Sequence, residues 1–225
     1  MNLNALEVDR STTVDRVAST LRQAIFDGVI NPGDQLREQV LAKQLGVSRN
    51  TVREALRMLT SDGLTAHVPN RGVAVRSLSI HDVEDIFLAR MILEREAARA
   101  SAICAPEALQ ALSDAMEAYA AAASLGEASK AANAHVDFHT VMVALCGSRR
   151  LAETERILLQ ELQVIIAAID RSSDDLPSEV EKHRTILQLF RERDVEGAIR
   201  CIENDLDHAK AFVLRRAKLP EGDTP

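Results

Sequence analysis

From Ile80 to Arg216 the apolar residues recur at helical spacing in successive blocks, and no stretch in that span carries a strand signal. A segment so long with one periodicity is constrained to fold as helices packed through their apolar stripes. The blocks run about 80–103, 106–124, 127–146, 149–171, 177–192 and 195–217, which makes six helices. Ser79 and Pro106 open two of them, Gly126 and Gly147 mark two boundaries, and Ser172-Ser173-Asp174-Asp175 reads as an exposed loop.

The first 77 residues follow another plan. Val14, Val17, Ala18, Leu21, Ile25 and Phe26 repeat at helical spacing, with Ser11 or Thr12 as N-cap. Asn31-Pro32-Gly33-Asp34 breaks that helix, a short amphipathic segment runs from Arg37 to Leu45, and Gly46 interrupts again. Ser48 then caps a helix to about Asp62 with Val52, Ala55, Leu56 and Leu59 on one stripe, and Gly63 stops it. Two β-prone stretches, Thr65 to Val68 and Gly72 to Arg76, flank the turn Pro69-Asn70-Arg71-Gly72. The order matches a winged helix-turn-helix. The expected fold is therefore mainly α, with a winged helix-turn-helix over 1–77 and an all-α bundle over 78–225.

The net charge of −7 looks unsuited to nucleic acid until the chain is divided. Residues 1–77 carry 10 Lys and Arg against 8 Asp and Glu, and the remainder carries 17 against 26. The acidity thus belongs to the bundle, and what matters for phosphate binding is where the N-terminal arginines sit. Aromatic residues make up 3% and Trp is absent, which argues against an all-β sandwich. Cys104, Cys146 and Cys201 form no metal-like pair and read as reduced core residues. No apolar run approaches the ~18–20 residues that span a bilayer, and Met1 to Arg10 has no signal-peptide core, so a cytoplasmic location is expected.

Ser48, Arg49, Asn50, Thr51 and Arg53 crowd the start of the third helix, while Val52, Ala55 and Leu56 face inward. A helix N-terminus with hydroxyls and arginines suits duplex DNA, because hydroxyls hold phosphates and arginine pairs bidentately with guanine. The run Asn31-Pro32-Gly33-Asp34-Gln35-Leu36-Arg37-Glu38, continued through Leu41-Ala42-Lys43-Gln44-Leu45-Gly46-Val47-Ser48-Arg49 to Val52-Arg53-Glu54-Ala55-Leu56, resembles the GntR family of bacterial regulators, in its branch with an all-helical FCD sensor domain. The resemblance implies operator contacts by Ser48, Arg49, Asn50, Thr51, Arg53, Arg71 and Gly72, with Arg37 as a further candidate. Family members often have Thr-Pro where this chain has Asn50-Thr51, so no operator sequence carries over.

In the second half, His135 and His139 lie one helical turn apart, a spacing that suits two ligands of one metal. Asp137 falls between them and should point elsewhere. His183, Asp205 and His208 add further donors if their helices join the same bundle. FCD domains bind a divalent ion through an Asp-x3-His pair and two later histidines. Here His135 stands for the aspartate and Asp205 for the last histidine, a swap that keeps three imidazoles and one carboxylate. The resemblance thus implies a ligand set of His135, His139, His183 and Asp205, with His208 as rival fourth ligand, for Zn, Ni, Mn or Fe. Arg90 and Glu94 read as an i,i+4 ion pair. The resemblance adds that Arg90 faces the cavity and anchors an anionic, carboxylate-bearing effector. Cys146-Gly147-Ser148 departs from the family's Ser/Ala-Gly-Asn turn.

These features lead us to expect a homodimer that binds double-stranded operator DNA, responds to a small organic acid, and represses until that acid arrives. Two alternatives stand beside it. One is a metalloregulator that senses the ion itself, and the other is a helical metal-dependent hydrolase that would use an open coordination position to activate water.

Overall fold

The computed structural model describes residues 12–69, 71–126, 128–169, 176–217 and 219. Ser11, Asn70 and the Ser172-Ser173-Asp174-Asp175 loop read from the sequence lie outside them. The chain divides between Arg76 and Ser77 into two compact units.

The N-terminal unit opens with α1 (Thr13–Phe26), α2 (Glu38–Leu45) and α3 (Arg49–Ser61), followed by strands β1 (Thr65–Val68) and β2 (Gly72–Val75). Thr12 caps α1 in a reciprocal capping box with Asp15. The stripe Val17, Ala18, Leu21 and Ile25 is buried against α3, whose Val52, Ala55, Leu56 and Leu59 form the other half of the core. The hairpin is antiparallel, with Thr65 opposite Val75 and Val68 opposite Gly72. The segment before α2 joins it: Leu36 N donates to Val73 O at 2.8 Å and Gly33 N to Val75 O at 3.0 Å. The Asn31-Pro32-Gly33-Asp34 break is thus also the edge that fastens the wing.

The C-terminal unit contains α4 (Ile80–Ser101), α5 (Pro106–Ser124), α6 (Ala128–Ala144), α7 (Arg149–Ala168), α8 (Leu176–Glu192) and α9 (Val195–Arg216). Its boundaries fall within a few residues of those expected from periodicity. Ser79 makes a capping box with Asp82, Ser148 caps α7, and Asp194 caps α9. The core between these helices is apolar, with Phe138, Phe190, Met116, Met142, Leu112 and Ile202 among its fully buried members. Cys104, Cys146 and Cys201 are half-buried rather than sealed in this core, a correction to the sequence reading. Cys146 and Cys201 pack against the core from its margin, which leaves part of each thiol side chain to solvent.

The turn that aims α3 depends on Gly46, which ends α2 with φ 66° and ψ 30° in the left-handed region. An added Cβ would meet no atom within 4 Å, so a side chain there is opposed by backbone conformation alone. Gly46→Ala is expected to lower the stability of the N-terminal unit by about 1 kcal/mol in chemical denaturation, and an unchanged midpoint would contradict the left-handed turn.

Candidate metal centre and nucleic-acid interface

The start of α3 is built as a helix N-terminus open to solvent. Ser48 Oγ accepts the backbone N–H of Thr51 at 3.0 Å and lies 2.8 Å from Thr51 Oγ1. Arg49, Asn50 and Arg53 are exposed, as are Arg37 at the head of α2 and Arg71 and Gly72 in the wing, while Thr51 is half-buried. Arg53 differs from the simple picture of a free basic face. Its Nε donates to Glu38 Oε1 at 2.9 Å and its Nη2 to Glu38 Oε2 at 2.7 Å, with Arg49 Nη2 3.9 Å from the same oxygen. The hydrogen bond from Arg53 holds the Glu38 carboxyl below its ordinary range. Reading a guanine with Arg53 therefore requires exchanging Glu38 for the base. Glu38 was visible in the sequence only as a first-turn acid of α2.

In the C-terminal unit, α6 and α8 bring three imidazoles together. His135 Nε2 lies 3.1 Å from His183 Nε2, His139 Nε2 lies 3.2 Å from His135 Nε2, and His139 Nε2 lies 2.9 Å from His183 Nε2. His139 and His183 are buried and His135 is half-buried. His183 Nδ1 donates to Glu179 O at 2.6 Å, which fixes its proton on Nδ1 and leaves a lone pair on Nε2. Burial disfavours the charged ring, as does charge on His139, and against the opposing pull of Asp205 the His183 pKa is lowered to about 4. Tyr119 of α5 sets its ring edge-on to His135 and His183, at 5.4 and 5.5 Å between centroids, and Phe138 packs against His139 and His183. Asp137 points away and is exposed.

The expected fourth ligands do not join this group. Among the described residues, the mutually close donors are His135, His139 and His183, all within 4.8 Å of one another. Asp205 Oδ1 is instead 3.9 Å from Lys182 Nζ, although its charge reaches His183. His208 is exposed and donates from Nδ1 to Asn204 O at 2.6 Å. Each takes another partner: the Asp205 carboxylate lies beside the Lys182 ammonium, and the His208 ring bonds to the backbone of its own helix.

Behind His139 sits a buried charged network. Arg90 donates from Nη2 to Glu94 Oε1 at 2.6 Å and from Nε to Glu155 Oε1 at 2.9 Å, and Glu94 Oε2 faces His139 Nδ1 at 3.3 Å. All four side chains are nearly inaccessible. The i,i+4 pair read from the sequence is present. The carboxyl groups that Arg90 holds here are the protein's own, those of Glu94 and Glu155. Burial pushes the Glu94 carboxyl up, but the charges of His139 and Arg90 outweigh this and bring it to about 2. Burial also raises Glu155, the Glu94 charge adds to that, and Arg90 offsets only part, leaving it at about 8. Glu155 Oε2 has no hydrogen-bond partner. Glu155 was missed in the sequence. The available signal was a carboxylate inside the α7 stripe Leu151, Ala152, Leu159 and Leu162.

The family of bacterial regulatory proteins named gntR matches residues 13–75, and the FCD domain matches residues 85–208. The chain belongs to the GntR family. Its FCD half is the helical unit that holds the histidines, and its gntR half is the unit that carries the wing. An HTH-type transcriptional regulator from the TAR-I ttuE-ttuC' intergenic region of Agrobacterium vitis is 37% identical over 149 residues, covering 63% of this chain and 87% of that one. The "Probable D-xylose utilization operon transcriptional repressor" of Paenarthrobacter nicotinovorans is 29% identical over 216 residues, covering 95% and 92%. A GntR transcriptional regulator from Rhodococcus sp. RHA1 superimposes with a TM-score of 0.75 at 28% identity, over 91% of this chain and 99% of that one. This GntR-family chain is accordingly a DNA-binding transcription regulator and not an enzyme, which overturns the hydrolase alternative. No helix among the described residues is long and apolar enough to cross a membrane.

Glu155 supplies a pH signature. It keeps its proton in the fold up to about pH 8 but ionises near 4.5 when unfolded, so the folded state holds the extra proton between those values. Unfolding free energy therefore falls as pH rises through that window. Above pH 6.5 the depressed His183 adds no slope of its own, since it is neutral in both states. Metal-free Glu155→Gln is expected to lose less thermal stability than the parent between pH 6.5 and 8. Parallel slopes would contradict the assignment.

Proposed function

We propose that this GntR-family regulator is a homodimeric, cytoplasmic repressor that leaves its operator when a small carboxylic acid binds beside a divalent ion on His135, His139 and His183. The observation that carries this reading is the convergence of the three Nε2 atoms within 2.9–3.2 Å. Two bonds of about 2.1 Å to one ion place their nitrogens about 3.0 Å apart at a right angle and about 3.4 Å apart at a tetrahedral one. The observed triangle is compact enough for all three nitrogens to bind a single ion of Zn, Ni, Mn or Fe. An ion so held would offer its remaining positions to water or a carboxylate oxygen. The residues do the rest: Glu179 orients His183, Tyr119 and Phe138 wall the imidazoles, and the apolar core limits water.

Dimerisation through the helical unit is supported by Leu88 and Ile92, one turn apart on α4 and 60% and 63% exposed. Two large apolar side chains left on one helix face suit a second copy of the chain, as a two-fold operator requires. In the N-terminal unit, Arg49, Asn50 and Arg53 would meet base edges, with Ser48, Thr51, Arg37, Arg71 and Gly72 at phosphates. An effector that prefers one arrangement of the two subunits shifts operator affinity by its differential binding, typically about 1–3 kcal/mol.

The ion itself as signal is the second reading, favoured by the fact that the three imidazoles come together from protein groups alone. Titrating Mn, Ni or Zn into operator complexes without organic acid separates the two. Release by metal alone supports the second reading, and release only on adding acid supports the first.

Two outcomes test the main proposal. Arg49→Ala should weaken specific operator binding by about 1–3 kcal/mol in gel shifts while the dimer persists, and unchanged binding would reject the interface. Small carboxylic acids should raise the melting temperature of metal-loaded protein but not of metal-loaded His139→Ala, and equal shifts in both would reject the pocket.

A further inference from the structure

The Arg90, Glu94 and Glu155 side chains are buried behind His139 and belong to neither the DNA interface nor the histidine triad. A neutral imidazole carries one N–H, and which nitrogen bears it depends on what the other faces. His139 Nδ1 faces Glu94 Oε2 at 3.3 Å, with both side chains 1% exposed. An ionised carboxylate accepts only, so the His139 proton belongs on Nδ1. The contact is longer and less well aligned than a full hydrogen bond, and Nδ1 has no other such bond. His183 has its proton on Nδ1 for the same reason, through the Glu179 carbonyl at 2.6 Å. Two Nε2 lone pairs then point at each other across 2.9 Å. That arrangement is repulsive unless a proton or a metal ion stands between them, and in the metal-free protein a proton shared across the 2.9 Å contact fills that role.

Glu94 is itself held. Its Oε1 accepts from Arg90 at 2.6 Å, and Arg90 donates again to Glu155 at 2.9 Å, so α4 and α7 together fix the carboxylate that faces α6. We propose that Glu94, clamped by Arg90, is the positioning residue that commits His139 Nε2 to metal. Arg90 thereby acts on the metal through Glu94 and not on an effector directly. This inference rests on the metal reading of the triad and adds to it a named residue that the ligand pattern does not contain.

The test uses full-length protein stripped of metal, with Ni and Co as probes. Affinities come from competition against a chromophoric chelator, coordination from the Co absorption bands, and fold integrity from the metal-free melting temperature. Glu94→Gln has one acceptor oxygen for two donors, Arg90 and His139, and loses the charge. It is expected to bind both metals about 10–100-fold more weakly, with altered Co bands. Glu155→Gln, which touches Arg90 but not His139, is expected to stay within about threefold of the parent, since outer partners one contact further away matter less. Should Glu94→Gln fail to fold, Glu94→Asp is read instead. It keeps the charge but shortens the reach, and its metal affinity should fall to a lesser degree. Parental metal binding that survives in folded Glu94→Gln, or in Glu94→Asp where that is the variant read, overturns this inference and leaves the triad standing. Equal losses in Glu94→Gln and Glu155→Gln that track their melting temperatures overturn it too, because a merely structural role predicts them. A parent protein that binds neither ion overturns the triad reading and this inference together.

Discussion

Three histidine ring nitrogens within 3.2 Å of one another, enclosed by apolar side chains, are the constraint around which the helical unit is organised. Burying polar rings and charges opposes folding unless each is hydrogen-bonded or paired. The helices answer this locally. The Glu179 carbonyl accepts the hydrogen bond from His183 Nδ1, Glu94 faces Nδ1 of His139, and Arg90 ties Glu94 to Glu155. Four helices, α4, α6, α7 and α8, contribute side chains to one polar knot, so none of them shifts without disturbing it.

That knot gives α4 two roles. Its inner face holds Arg90 and Glu94, and its outer face leaves Leu88 and Ile92 to solvent. A change at His139 is felt first by Glu94, hence by the helix that presents the proposed subunit contact. α4 also begins a few residues after the wing strand β2 in the chain. One element thus carries part of the buried network, the exposed pair Leu88 and Ile92, and the chain's continuation from the DNA-binding unit. Breaking a buried pair by removing one partner typically costs about 3–5 kcal/mol, so the members of this network hold one another in place.

Much of this was legible in residue order. Helical periodicity located all the helices of the second unit, because each buries one stripe and ends at a cap or a glycine such as Gly126 or Gly147. The pair His135 and His139 was legible because i,i+4 spacing shares a face in any α-helix. His183 was legible only through family likeness, since nothing local places α8 against α6. The partner of Asp205 was not legible: exchanging an aspartate and a histidine keeps the donor count, but the Asp205 carboxylate lies beside Lys182, and among the described residues the cluster comprises the three histidines. Nor was the destination of Arg90, whose second partner Glu155 lies 65 positions away on another helix. On the DNA side, the basic edge of α3 was readable from Ser48 to Arg53, while the grip of Glu38 on Arg53 depends on how α2 crosses α3.

The proposed metal centre is one divalent ion at which three imidazoles meet. X-ray absorption at the Ni K edge on full-length protein loaded with one equivalent tests it directly. Three imidazole nitrogens, recognised by their ring scattering, are expected at about 2.0–2.1 Å together with oxygen donors. A spectrum of oxygen donors alone, without imidazole scattering, would contradict it.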